Sequence, residues 1–148
     1  MKAVIQRVKN SSVEIENKVH CCISDGLLVF LGIEKGDDYY KAEYIAKKIV
    51  DLRIFSDYLD KMNLSVKDIK GQILAISQFT LCTVEKSGNR PSFFSAELPD
   101  KAERIYEYCI LKMKEYYKKD MVFSGIFGAE MNIALVNNGP VTIILERK

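Results

Sequence analysis

Two short segments, residues 27–33 and 73–79, are almost continuously apolar and rich in Leu and Ile. A strand with one wet face alternates apolar and polar residues, so these runs read as central strands buried on both faces. Cover for such strands is present elsewhere in the sequence. Asp37 and Asp38 stand where a helix N-terminus wants acceptors, and Ala42, Ile45, Ala46, Ile49 and Leu52 follow at helical spacing. Asp100 with Glu103 makes a capping-box variant ahead of a second helix, whose apolar face carries Ala102, Ile105, Cys109, Met113 and Tyr116. The first third reads as an antiparallel meander over residues 4–8, 13–16, 19–23 and 27–33. Its breaks fall at Asn10-Ser11, Asn17-Lys18 and Asp25-Gly26, the last being a two-residue hairpin signal. Residues 53–55 read as extended and residues 56–70 as polar and turn-rich. Strands at 131–136 and 141–145, joined through Asn137-Asn138-Gly139-Pro140, close the chain. The fold class is α/β: one domain over residues 1–148, with a curled, barrel-like mixed β core and two main helices packed against it.

The chemistry is bounded first by absences. No apolar run approaches the ~18 residues of a membrane span, and the opening residues are strand-like rather than a secretory leader, so a cytoplasmic protein is expected. A net charge of +2 argues against a long nucleic-acid interface and for contact confined to a terminus or a small patch; no DNA partner is expected. Lys86 with Arg90, and Lys112, Lys114, Lys118 and Lys119, are candidate patches, and equally ordinary solvated faces. His20 and the cysteines Cys21, Cys22, Cys82 and Cys109 have poor spacing for zinc, so free thiols, no metal and no cofactor are expected. There is no GxSxG elbow, P-loop or GxGxxG. A hydrolase built on this sequence would rely on positioning and on backbone donors aimed at an oxyanion.

Two segments could supply that. Ser77-Gln78-Phe79-Thr80 ends a buried strand, where backbone N–H groups run out of ladder partners and Thr80 offers a hydroxyl; an ordinary strand end reads the same way. Asn137-Asn138-Gly139-Pro140 is on its face a hairpin turn. Gly before Pro also tolerates a cis peptide, which would present two carbonyls as a wall free of side chains. Phe127 is either core or a stacking surface.

These segments resemble the two signature motifs of the D-aminoacyl-tRNA deacylases, Ser77-Gln78-Phe79-Thr80-Leu81 and Asn137-Asn138-Gly139-Pro140-Val141-Thr142. The similarity runs the full chain in order and spacing. It takes in Val4-Ile5-Gln6-Arg7-Val8, Gly26-Leu27-Leu28, Leu31-Gly32-Ile33-Glu34-Lys35, Lys61-Met62-Asn63-Leu64, Arg90-Pro91-Ser92-Phe93 and Phe127-Gly128-Ala129-Glu130-Met131. The resemblance implies a homodimeric hydrolase that removes D-amino acids from the 3′ end of tRNA, and glycine from alanine tRNA, as a proofreading step of translation. It places Ser77, Gln78, Phe79 and Thr80 around the scissile ester, with the Phe79 N–H as oxyanion donor. Gly139 and Pro140 arrive in cis from the partner subunit, held by Arg7, to exclude L-amino acids. Phe127, with Met131 nearby, offers a platform for the terminal adenine. Thr80 reads as a positioning group rather than a nucleophile, and the adenosine 2′-hydroxyl is the alternative source of assistance. Ile126 stands where the family commonly carries Arg, and Cys82-Thr83 also depart from the usual pattern. The competing readings are a non-catalytic dimeric module that binds nucleotides or RNA ends, and an esterase with Thr80 as nucleophile.

Overall fold

One long strand organises the protein, and the computed structural model describes residues 1–84 and 89–148 around it; Lys86 lies outside the described residues. The elements are β1 (Lys2–Ile15), β2 (Lys18–Ile23), β3 (Gly26–Gly32), α1 (Tyr39–Asp51), β4 (Phe55–Ser56), β5 (Met62–Leu64), β6 (Gln72–Ser77), α2 (Pro99–Tyr116), β7 (Val122–Ser124) and β8 (Asn132–Glu146). β1 pairs antiparallel with β2 and β3 along one edge and with β8 along the other. β3 continues into β6 and β6 into β7 by parallel pairing, which gives a mixed, curled sheet of barrel-like shape with two helices against it.

The first apolar run is buried on both faces and the second over residues 73–76; the strand expected over 73–79 ends at Ser77, and Phe79 is exposed in the turn that follows. Alternate residues of β3 and β6 enter separate cores. Leu27, Val29, Leu31, Ile73 and Ala75 join Ala42, Ile45, Ile49, Ile105, Cys109 and Met113 of the helices. Leu28, Leu74 and Ile76 face the opposite way, onto Val8, Val13 and Ile23. Ile73 and Leu74 are both fully buried on opposite faces, each contributing about 1.5–3 kcal/mol of transfer free energy. Asp38 caps α1, its side chain accepting from the Lys41 N–H at 2.8 Å. α2 begins at Pro99 without a side-chain cap, so the expected Asp100–Glu103 box is not formed; Pro at the first helical position, which needs no N–H, starts the helix instead.

Three expected breaks are not turns. β1 runs unbroken through Asn10-Ser11. Asp25-Gly26 is no hairpin: Val8 pairs with Gly26 and Ser11 with Ile23 in one register, so β2 and β3 lie end to end along the same edge of β1. The hairpin is at Glu16 and Asn17, whose φ values of 51° and 61° are the two positive angles of a type I′ turn. Asn137–Pro140 is likewise not a hairpin. Residues on both sides of it pair with the same strand β1, so β8 leaves its ladder, bulges outward and returns. A hairpin would need a new partner strand, and none is present there.

Candidate active site

β3 and β6 end side by side, the last parallel pair being Leu31 with Ser77. Beyond them the chain must leave the sheet. Gln78 donates its N–H to the Leu31 carbonyl at 2.8 Å, and Phe79–Cys82 then form a 3-10 turn. Gly32 permits this, because a Cβ there would come within 2.9 Å of Leu81 Cβ and 3.2 Å of the Gln78 carbonyl. The first two N–H groups of such a turn have no carbonyl within it. Here they belong to Phe79 and Thr80.

A cleft of about 520 Å³ opens at this end of the sheet. Ser77, Gln78 and Phe79 line one side, Phe127, Gly128 and Met131 another, and Ala96, Glu97, Pro99 and Ala102 at the start of α2 a third. Phe127 is half-buried and tilted against Tyr106 at 5.8 Å between centroids, so it is at once the margin of the core and a wall of the cleft. Tyr106 is fixed by donating its hydroxyl to the Ala75 carbonyl at 2.9 Å. Thr80 is exposed and lies outside this lining; its Oγ1 accepts from Gln78 Nε2 at 2.5 Å.

Among the described residues the cysteine thiols are not activated as nucleophiles. Cys82, the last residue of the turn, has its thiol pushed up to about 11 by burial, and burial takes Cys109 to about 12. Among the described residues no cluster of His, Cys, Asp or Glu could hold a metal ion. Glu97 is the one charged side chain among the described residues of the cleft, and nothing in the sequence singles it out. The hydrogen bond from Lys101 at 2.7 Å, seconded by the Leu98 N–H, holds its carboxyl below the usual carboxylate range.

Arg7, Gly139 and Pro140 form a separate group on the β1–β8 edge, away from the cleft of their own chain. Arg7 is 9% exposed and stands where β8 has left the ladder. Its Nε donates to the Asn138 carbonyl at 2.9 Å and its Nη1 to the Ile54 carbonyl at 2.5 Å. Within the Asn137–Pro140 segment the carbonyl that Arg7 holds is that of Asn138. The Gly139–Pro140 peptide is cis, and both residues are exposed at the tip of the bulge. Gly139 has φ 137°, and a Cβ there would stand 2.8 Å from Val141 Cγ2 and 3.0 Å from Arg7 Nη2. Of the basic patches, Arg90, Lys118 and Lys119 are exposed, whereas Lys112 is engaged by Glu115 at 2.8 Å and Glu43 at 3.7 Å.

The family model described as D-Tyr-tRNA(Tyr) deacylase matches residues 4–146. A D-aminoacyl-tRNA deacylase of Pelobacter propionicus is 51% identical over 147 residues, 99% of this chain and 100% of the relative. One from Geotalea uraniireducens is 50% identical over 99% of this chain and 93% of the relative. Among solved structures, one described as c-Myc DNA Unwinding Element Binding Protein superposes with a TM-score of 0.95 at 39% identity, covering 100% of this chain and 99% of that one. A structure described as a probable eukaryotic D-amino acid tRNA deacylase shares the fold, with a TM-score of 0.83 at 14% identity over 97% of both chains.

Proposed function

Since this chain belongs to the D-aminoacyl-tRNA deacylase family and is a hydrolase, we propose that it works as a homodimer that accepts D-aminoacyl and glycyl esters of tRNA and refuses L-aminoacyl esters sterically. The observation that carries this reading is a division of parts. An apolar cleft is lined by Phe79, whose N–H has no carbonyl partner within its 3-10 turn, while an exposed tip, Gly139–Pro140, lies outside the cleft of its own chain. In a two-fold dimer the tip of one subunit closes the cleft of the other. Gly139 has no side chain and Pro140 no N–H, so the tip offers chiefly carbonyls. An L side chain would run into it, a D side chain turns out to solvent, and glycine has nothing to refuse. Glycine misattached to alanine tRNA is therefore a second substrate.

In the reaction, water adds to the ester carbonyl, the Phe79 N–H receives the developing oxyanion, and the 3′-oxygen leaves with a proton. Ser77 and Gln78 bound the ester, and Thr80 orients the Gln78 amide. The adenosine 2′-hydroxyl supplies the assistance that no histidine provides among the described residues of the cleft. The adenine stacks on Phe127 with Met131 beside it. Its substrate places this activity in the cytoplasm; no helix among the described residues is long and apolar enough to cross a membrane.

The test is deacylation of D-Tyr-tRNA beside L-Tyr-tRNA at low enzyme concentration, with the oligomeric state measured in the same buffer. Rapid loss of the D-ester alone, by a dimer, is expected. Equal rates would remove the steric gate. Protection of both esters would favour a binding module, the role that the name of the 39% identical structure gives to that protein.

A further inference from the structure

The reading above leaves Asn137 without a task, yet its carboxamide makes more contacts than any other side chain of the bulge. Where β8 leaves the ladder between Asn137 and Thr142, Val141 loses its strand partner while remaining only 8% exposed. A buried N–H and C=O left unpaired there would each carry an uncompensated desolvation penalty. Asn137 answers both. Its Oδ1 accepts from the Val141 N–H at 2.8 Å, and its Nδ2 donates to the Val141 carbonyl at 3.2 Å. Nδ2 also reaches Thr142 Oγ1 at 3.4 Å, which accepts from Gln6 Nε2 of β1 at 3.2 Å. The side chain thus imitates a paired strand and ties the two feet of the bulge together.

The outgoing leg is held from the other side, where the Asn138 carbonyl accepts from Arg7. Between these two holds only Gly139 and Pro140 remain exposed at the tip. We infer that Asn137 is a positioning residue for discrimination: it fixes where the Gly139–Pro140 tip stands, and so how completely an L side chain is refused. The inference rests on the reading of that tip as the chiral wall. It adds that the wall is set by a side-chain staple four residues before Val141, and not by the strand ladder.

The experiment measures D-Tyr-tRNA and L-Tyr-tRNA deacylation, thermal melting and adenosine binding for the wild type, Asn137→Ala, Asn137→Asp and Gly139→Ala. A tip displaced by ~1 Å is expected to narrow the D/L rate ratio of Asn137→Ala between about 10- and 100-fold. Adenosine binding should stay at the wild-type level, because the adenine stacks on Phe127 beside Met131, whereas the tip meets the aminoacyl side chain. Asn137→Asp keeps the acceptor for the Val141 N–H but sets a carboxylate against the Val141 carbonyl, so its ratio should fall between the two. A purely structural role would lower the melting temperature and leave the ratio intact, and that result overturns the inference. If Asn137→Ala does not fold, the Asn137→Asp ratio decides alone. Should Gly139→Ala lose the ratio while the Asn137 variants keep it, only this inference falls. Should Gly139→Ala keep it as well, the chiral-wall reading falls too.

Discussion

The strand end at Ser77 and the bulge at Asn138–Pro140 are both places where a β-strand abandons its ladder, and they are built in opposite ways. At Ser77 the chain departs for good, turning past Gly32 at the side of an open, mostly apolar cleft, and what the turn presents there is the Phe79 N–H. At Asn138 the chain departs and returns to the same strand, into solvent, and what it presents are acceptors. The first is held by packing, since Phe79 meets Phe93 edge-on at 5.1 Å and Cys82 is fully buried behind it. The second is held by polar side chains, Arg7 and Asn137. In the proposed dimer the cleft and the tip are complementary halves, and damage to each should fail in its own way: rate at the first, discrimination and stability at the second.

The sharpest separation comes from deleting a single backbone donor. Phe79→Pro removes the N–H at the first position of the turn, where Pro is sterically accepted, while Phe79→Ala removes the ring and keeps the N–H. Loss of one oxyanion donor lowers kcat by about 10²–10³, so Phe79→Pro should fall that far below Phe79→Ala with D-Tyr-tRNA in single-turnover assays. Equal rates in the two variants would take the oxyanion role away from Phe79.

On the other side, Arg7→Ala leaves the Ile54 and Asn138 carbonyls without their charged donor in a site 9% exposed. A stability loss of about 3 kcal/mol in urea denaturation is expected, with a narrowed D/L ratio in the fraction that remains folded. An unchanged ratio in folded Arg7→Ala would show that the bulge keeps its shape without the guanidinium.

The contrast also explains what could be read in advance. The two-faced strands, the helices and the ends of the cleft follow from local pattern: residues 27–33 and 73–76 are apolar because both faces are covered, and Ala42, Ile45 and Ile49 recur at the helical period. Strand continuity is a property of pairing, and pattern is blind to it. Asp25-Gly26 and Asn137–Pro140 have the composition of hairpins, yet in both places the chain goes on along β1 because the register of the partner continues. Ser77, Gln78, Phe79, Phe127 and Met131 line one cleft, whereas Thr80 is exposed on the 3-10 turn and lies outside that lining. Glu97 carries no signal in the sequence, because a lone acid ahead of a helix is unremarkable until the fold places it in the cleft. Asn137 was hidden for the same reason, as an asparagine in an apparent turn.

A smaller effect is expected at the adenosine end of the cleft. Phe127→Ala should weaken binding of a non-hydrolysable aminoacyl-adenosine by about 1–3 kcal/mol while leaving the D/L ratio unchanged, since the ring lies in the cleft and not on the tip. Titration calorimetry checks the first part and paired rates the second. A shifted ratio would mean that adenine placement and chirality are coupled through the ester, and the clean division between the two regions would fail.

Thr80 gives the smallest change and the most pointed one, because it sits beside the cleft without lining it. Its Oγ1 already accepts from Gln78 Nε2, and its carbonyl accepts from the Thr83 hydroxyl at 2.5 Å. No imidazole stands by to take its proton, and the neighbouring thiol of Cys82 is held protonated by burial. Removing an exposed neutral hydrogen bond costs about 1 kcal/mol, so Thr80→Ala should lower kcat by less than tenfold, through a looser Gln78 amide. A nucleophilic Thr80 would behave otherwise: an acyl-enzyme would accumulate in rapid-quench experiments with the wild type, and the alanine variant would be silent toward every ester. Either result would move the chemistry from the backbone to a side chain, and with it the reason the cleft can be built from so few polar groups.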